Sequence, residues 1–247
     1  MKLLIDFGNS RCKWASLNKQ ALLDVNAYVY QSEDLIQRAR EVIEQICFDS
    51  IEQIHVVSVL GDAFEKEFSS QVGKLASIDI RFHVSQLNNF GVLLAYDDPL
   101  SYGADRYAAL VAAHNKAAGA KIIIDCGTAT TVDVIDAGGK HLGGLIMPGI
   151  GLMCSALATK ASGISLPTQA NPTQLFNQNT ADAVYSGSVL ALSHGIRGIV
   201  QEIAEEVNQQ VTVYVCGGES NIIDLADIEY VECPNLVLEG LQFMQGS

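Results

Sequence analysis

Ile5-Asp6-Phe7-Gly8-Asn9-Ser10 and Ile124-Asp125-Cys126-Gly127-Thr128-Ala129 are two versions of one phrase, about half the chain apart. Each closes an apolar run with Asp, any residue, Gly and a side chain that carries a hydroxyl or an amide. The same order of elements surrounds both copies. In the first half, apolar runs bounded by Gly, Asn and Asp read as strands at Lys2–Phe7, 13–17, 25–30, 54–60 and 80–84, with helical periodicity over 32–47 and Asp62–Leu75. A third helix is expected over 102–116, where Ala108, Ala109, Val111 and Ala112 form an apolar face. The pattern then restarts with strands at 121–125, 131–135 and 140–146 and helices at 148–159 and 180–208. A strand at Val211–Cys216 and a last helix over 235–244 complete it. Duplication is the economical explanation. It predicts an α/β chain of two similar lobes with a cleft between them, each opening with three strands and continuing into αβα. The lobes are expected at residues 1–119 and 120–247.

Composition narrows the partners. The chain has 247 residues, 49% of them hydrophobic, enough to bury a sizeable core. Its net charge of −13 has the wrong sign for a nucleic-acid backbone. A small anion is still admissible, because local N–H groups, one Arg and a bound cation outweigh distant charge screened over ~8 Å. The start, Met1-Lys2-Leu3-Leu4-Ile5-Asp6, puts a carboxylate where a secretory leader needs apolar residues, so no leader is expected. Glycines and Pro148 break the apolar stretch 142–158, which reads as a buried turn and helix and not a membrane span. Six scattered cysteines without a C-x-x-C pair point to reduced thiols in a cytoplasm. The five histidines show no metal-ligand spacing.

In both phrases the glycine lets the backbone turn tightly and approach a ligand, with consecutive N–H groups facing phosphate oxygens. Asn9, Ser10, Thr128, Thr130 and Thr131 add side-chain donors. Asp6 and Asp125 would then face the same anion, which requires a cation between them, Mg²⁺ held through water or a larger monovalent ion. In Tyr102-Gly103-Ala104-Asp105-Arg106, Asp105 is either a helix-start charge or a site residue, and Arg106 can fix a carboxylate or phosphate. Gly143-Gly144-Leu145-Ile146-Met147-Pro148-Gly149 reads as strand, turn and helix start. Cys216-Gly217-Gly218-Glu219 is either a plain βα turn or a surface for an adenine ring.

Taken together and in order, Asp6 to Lys13, Gly103 to Arg106, Asp125 to Thr131, Gly143 to Gly149 and Leu236 to Leu241 resemble the type III pantothenate kinases of the acetate and sugar kinase/Hsp70/actin superfamily. The resemblance covers essentially the whole chain. It implies two duplicated actin/ribonuclease H-like lobes with an interlobe nucleotide cleft, and ATP-dependent phosphorylation of pantothenate to 4'-phosphopantothenate, the first step of coenzyme A synthesis. The implied enzyme is a cytoplasmic homodimer that uses Mg²⁺ and K⁺ or NH₄⁺, without nucleic-acid or membrane partners. Carried over residue by residue, Asp6, Gly8, Asn9, Ser10 and Lys13 form the first phosphate loop, and Thr128 contacts ATP. Asp125 holds the monovalent cation, and Asp6 holds Mg²⁺ through water. Asp105 is the proposed base, and Tyr96, Gly103, Ala104, Asp105 and Arg106 bind pantothenate. Thr180, which also suits a helix N-cap, is a substrate contact near the dimer interface. The second lobe would then carry the cation site and the adenosine side. A regulatory protein on the same scaffold is the alternative, and the intact Asp105 and Arg106 argue against it.

Overall fold

The computed structural model describes residues 1–19, 21–161 and 173–246. In chain order the strands and helices are β1 (Lys2–Phe7), β2 (Arg11–Asn18), β3 (Ala21–Val29), α1 (Leu35–Ile43), β4 (Gln53–Ser58), α2 (Asp62–Leu75) and β5 (Asp79–Phe82). A short hairpin, β6 (Asn88–Asn89) and β7 (Val92–Leu93), precedes α3 (Ala104–Lys116). Then come β8 (Ala120–Cys126), β9 (Ala129–Ile135), β10 (His141–Pro148), α4 (Ile150–Lys160), α5 (Thr180–Val207), β11 (Val211–Cys216), β12 (Tyr230–Glu232) and α6 (Leu236–Met244). They fall into two compact units, Met1–Ala117 with Asn235–Ser247, and Ala118–Pro234.

Each unit is built on a five-stranded sheet of the same topology, β3-β2-β1-β4-β5 in one and β10-β9-β8-β11-β12 in the other. In both, the first three strands run antiparallel and the last two run parallel to the first. The fold is α/β with duplicated actin-like sheets. The period-two alternation of β1 explains its burial. Leu3, Ile5 and Phe7 meet Ala39 and Val42 of α1 and Phe64 and Phe68 of α2. Phe7 packs edge-on against Phe64 and Phe68 at ring separations of 4.7 and 4.9 Å. In the other unit, Ile122, Ile124 and Cys126 of β8 meet Cys154 of α4 and Val189, Leu192 and Ile196 of α5. Each such side chain contributes ~1.5–3 kcal/mol when fully buried. Asp6 and Asp125 are one residue out of phase with these core positions, so both carboxylates lie on the opposite sheet face, at the strand ends.

Several expectations shift. The last helix, α6, was expected in the second lobe but belongs to the first unit. Leu236, Leu238, Leu241 and Met244 are fully buried, and a Cβ at Gly240 would collide with the Ala108 backbone. α6 and α3 therefore touch backbone to backbone, an approach that glycine and the alanines of α3 permit. The helix expected over 32–47 is shortened to Leu35–Ile43, because the Asp34 side chain accepts the Gln37 N–H at 2.9 Å and starts it there. In the second unit no strand lies between α4 and α5 among the described residues, which omit 162–172. β3 begins at Ala21, earlier than its weak alternation indicates, because it is an exposed edge strand. Among the described residues no helix is long and apolar enough to cross a membrane.

β4 also carries a buried polar pair. His55 is fully buried, on the face opposite Ile54 and Val56, and its Nδ1 lies 2.9 Å from His83 Nε2. Burial, then His83, Lys2 and Arg81, push the His55 imidazole down to about 4, and burial followed by Arg81 lowers His83 too. The neutral pair therefore stabilises the fold fully above the unfolded-state value of 6.5, and its contribution is lost as pH falls from 6.5 through about 4. Denaturant titrations of the wild type across this window are expected to show a loss of up to about 3 kcal/mol. His55→Leu should flatten that slope; a variant with the same slope would exclude His55 as its source.

Candidate functional site

The first unit carries two of the expected groups. At the β1–β2 turn the Gly8 N–H donates to the Arg11 carbonyl at 3.0 Å, and a Cβ at Gly8 would press on that same oxygen at 3.1 Å. Asn9 and Ser10 are exposed at the tip of this turn. Asp6 and Lys13 are direct cross-strand partners and so share one sheet face, which brings the loop's carboxylate and ammonium together. Asp6 also raises the neighbouring Cys12 thiol, although burial is the larger cause.

At the start of α3, Gly103 is the N-cap, and the Asp105 carboxylate accepts the Arg106 N–H at 2.8 Å. A Cβ on Gly103 would stand 2.6 Å from Asp105 Oδ1, so glycine leaves the room that this carboxylate fills. Arg106 is only 9% exposed, and its guanidinium carbon lies 4.4 Å from the Tyr102 ring centroid. Tyr96 meets the same ring edge-on at 4.8 Å. Tyr102 thus joins Tyr96 and Arg106 into one column, and Ser85 Oγ fixes it from behind by donating to the Tyr102 carbonyl at 2.8 Å. The role of Ser85 has no local sequence signal, because it lies 17 residues from its partner.

The second unit carries the other loop. Asp125 is the next-to-last residue of β8, half-buried between Thr131 of β9 and Cys216 of β11. Gly127 N–H closes the turn onto the Ala129 carbonyl at 3.1 Å, and Gly149 N–H donates to the Thr128 carbonyl at 3.0 Å. Gly149 and Gly217 have no room for a Cβ: one would strike the Gly127 carbonyl and the other the Cys126 backbone. Gly217 also adopts φ +93°, which favours glycine. Glu219 ties three segments together. Its N–H donates to the Cys126 carbonyl at 2.8 Å, and its carboxylate accepts the Ile150 and Gly151 N–H groups at 2.9 and 3.2 Å. It caps α4 from another element, in a helix whose N-cap, Gly149, has no side chain. Burial, then Asp125 and Glu219, push the Cys126 thiol up to about 12, leaving it protonated.

Thr180 is exposed as the first residue of α5, and the N-cap is Asn179, whose side chain accepts the Asp182 N–H at 2.9 Å. The capping role expected of Thr180 therefore belongs to its neighbour. Thr180 instead borders a groove of about 690 Å³ between α4 and α5, with Pro148, Leu152, Met153, Leu157 and Val184 on its walls. Among the described residues no group of three or more His, Cys, Asp or Glu is placed to hold a metal ion.

Comparison with known proteins gives the family. The family model for type III pantothenate kinase matches residues 2–202. A relative from Nitrosococcus oceani named type III pantothenate kinase is 32% identical, over 98% of this chain and 92% of its own. Two solved structures share the fold. One is a putative Baf family transcriptional activator from Campylobacter jejuni, with a TM-score of 0.60, 20% identity and coverage of 99% of this chain and 98% of that one. The other is a putative 2-dehydro-3-deoxygalactonokinase from Sinorhizobium meliloti, with a TM-score of 0.54, 14% identity and coverage of 98% and 97%. Both likenesses concern the fold, whereas the family model and the Nitrosococcus relative reach the level of activity. On that ground the chain belongs to the type III pantothenate kinase family, enzymes that transfer phosphate to pantothenate.

Proposed function

We propose that the chain moves the γ-phosphoryl group of ATP in line onto the primary hydroxyl of pantothenate, with Asp105 as the base and Arg106 as the partner of the pantothenate carboxylate. The observation that carries this reading is the start of α3. There a carboxylate fitted into the space over Gly103 stands beside a nearly buried guanidinium stacked on Tyr102, whose ring Tyr96 meets edge-on. Asp105 orients the hydroxyl and takes its proton late, because the transition state of phosphoryl transfer is loose and positioning dominates. The Gly8-Asn9-Ser10 turn, Lys13 and Thr128 bind the phosphates through N–H, ammonium and hydroxyl groups. Thr180, exposed beside the groove, is a substrate contact in this reading.

The donors suit the cations that such a reaction needs. Asp6 and Asp125 are half-buried carboxylates, each beside a glycine turn with hydroxyl or amide side chains, an oxygen-rich set matched to hard ions. Asp6 would hold Mg²⁺ through water, and Asp125 would hold K⁺ or NH₄⁺. When bound, these cations neutralise charge on the phosphoryl oxygens.

A cytoplasmic homodimer completes the proposal. β10 is an edge strand, and Leu142, Leu145 and Ile146 on it are 46, 47 and 62% exposed. Leu152 and Leu157 extend the same apolar character onto α4. Such a surface favours a second copy over water. Light scattering is expected to read twice the 26.5 kDa chain mass, and a monomer at working concentration would overturn this part.

Arg106→Gln removes a charge-assisted contact of about 1.5–3 kcal/mol. The pantothenate KM is then expected to rise about 10- to 100-fold and the ATP KM much less. Equal changes in both would sink the assignment. The decisive assay for the whole reading follows phosphopantothenate formation with ATP and Mg²⁺, with and without K⁺. Product that depends on K⁺ is expected. A folded protein that binds ATP yet makes no product with any cation would overturn it.

A further inference from the structure

We infer that Arg38 is the positioning residue of the first phosphate loop, holding the Asn9–Ser10 peptide so that the Ser10 N–H faces the nucleotide phosphates. The inference rests on the kinase reading above and concerns a residue outside every motif that the family resemblance used. Arg38 lies on α1, and its side chain is only 11% exposed. Three acceptors in two segments take up its donors. Nη1 donates to the Asn9 carbonyl at 2.9 Å, Nε to the Ser32 carbonyl at 2.7 Å and Nη2 to the Glu33 carboxylate at 2.8 Å. Its guanidinium carbon also lies 4.8 Å from the centroid of the Tyr30 ring.

The Glu33 bond does not explain this burial. The Glu33 side chain is fully exposed, and ion pairs in water contribute little. The two carbonyls and the ring remain, and one of those carbonyls belongs to the tip of the phosphate loop. A trans peptide is planar, with its C=O and the following N–H pointing in opposite directions. A donor fixed on the Asn9 oxygen therefore turns the Ser10 N–H the other way, to the far side of the loop. Tyr30 reinforces this from the same stretch, since its N–H donates to the next carbonyl, that of Ser10, at 3.3 Å. Two successive carbonyls of the loop are thus held, one by Arg38 and one by the residue whose ring Arg38 covers.

The guanidinium also brings a full positive charge against a loop whose ligand is anionic, in a chain with a net charge of −13. Geometry and charge can be separated experimentally. Lysine keeps the charge but lacks the rigid planar fork that spans two carbonyls. If charge alone matters, Arg38→Lys behaves as the wild type; if the held peptide matters, it falls between the wild type and Arg38→Ala.

The test uses the full chain as wild type, Arg38→Lys and Arg38→Ala. ATP·Mg²⁺ binding is measured by calorimetry without acceptor, deuterium uptake over residues 8–12 by mass spectrometry, and the pantothenate KM by steady-state assay. Arg38→Ala is expected to bind ATP about tenfold more weakly and to exchange faster across the loop, with the pantothenate KM within about twofold of the wild type. Arg38→Lys is expected to be intermediate in both binding and exchange, and it carries the test by itself if the alanine variant does not fold. ATP affinity within twofold of the wild type together with unchanged loop exchange would overturn the inference. So would equal losses for ATP and pantothenate, the mark of a general structural role, or a lysine variant identical to the wild type. A wild type that binds ATP but leaves pantothenate unphosphorylated would overturn the acceptor assigned above, while the binding and exchange measurements still decide the role of Arg38.

Discussion

Asp105→Asn is expected to lower kcat by ~10²–10⁴-fold while changing the ATP KM little, the range typical of losing a general base. The substitution isolates chemistry from structure. Asp105 Oδ1 accepts the Arg106 N–H, and the amide oxygen of asparagine can accept it equally well, so that N–H in the first turn of α3 keeps its acceptor. The space over Gly103 suits either side chain, since the two have nearly the same shape. What asparagine lacks is a lone pair basic enough to take the hydroxyl proton. Steady-state kinetics together with a melting curve check this, and near-normal turnover by a fully folded variant would remove Asp105 from the base role.

The other large effect is expected at Gly149, where alanine should raise the ATP KM at least about tenfold and lower Tm by several degrees. The added methyl would overlap the Gly127 carbonyl and stand 2.7 Å from the Thr128 carbonyl, with Glu219 Oε2 at 3.0 Å. Two of these three obstacles are backbone, so no side-chain rotation relieves them. Either α4 moves out or the 127–128 turn moves, and the second displaces Thr128, assigned to phosphate binding. Glu219 makes the first escape costly, because its carboxylate grips the Ile150 and Gly151 N–H groups. Gly198→Ala in α5 is the control. A Cβ there meets nothing within 4 Å, so it should leave ATP binding unchanged and stabilise the helix slightly. An unchanged ATP KM in Gly149→Ala would mean that the 127–128 turn tolerates displacement and does not set the phosphate site.

Local chemistry made much of this protein legible. The alternation of Leu3, Ile5 and Phe7, and of Ile122, Ile124 and Cys126, identified the two central strands, because burial on one face of a strand imposes a period of two. The Asp-x-Gly phrase marked both strand ends, because a tight turn after a strand restricts which residues can follow. The adjacency of Asp105 and Arg106 at a helix start was visible for the same reason, as all of it lies within one turn of chain. Thr180 shows the limit of such reasoning. A hydroxyl before an apolar run is a good cap, but so is the asparagine before it, and only the backbone angles at Asn179 decide between them.

Tertiary structure decided whatever depends on which faces meet. The apolar residues of α6 carry no address, and its place in the first unit follows from Gly240 meeting the Ala108 backbone, 132 positions before it. Tyr102 is one more buried tyrosine until Tyr96 and Arg106 are found on its ring. Glu219 and Arg38 are ordinary charges in the chain, each bound to backbone far from it in sequence, at Ile150 and at Asn9. The central strands of the two sheets, their duplication and the loops that follow them were legible in the chain, since each is written within a few residues and repeated, whereas the edge strand β12 was not. The structure alone decided which distant charges hold those loops, because a backbone carbonyl or N–H looks the same at every position until folding brings one partner to it.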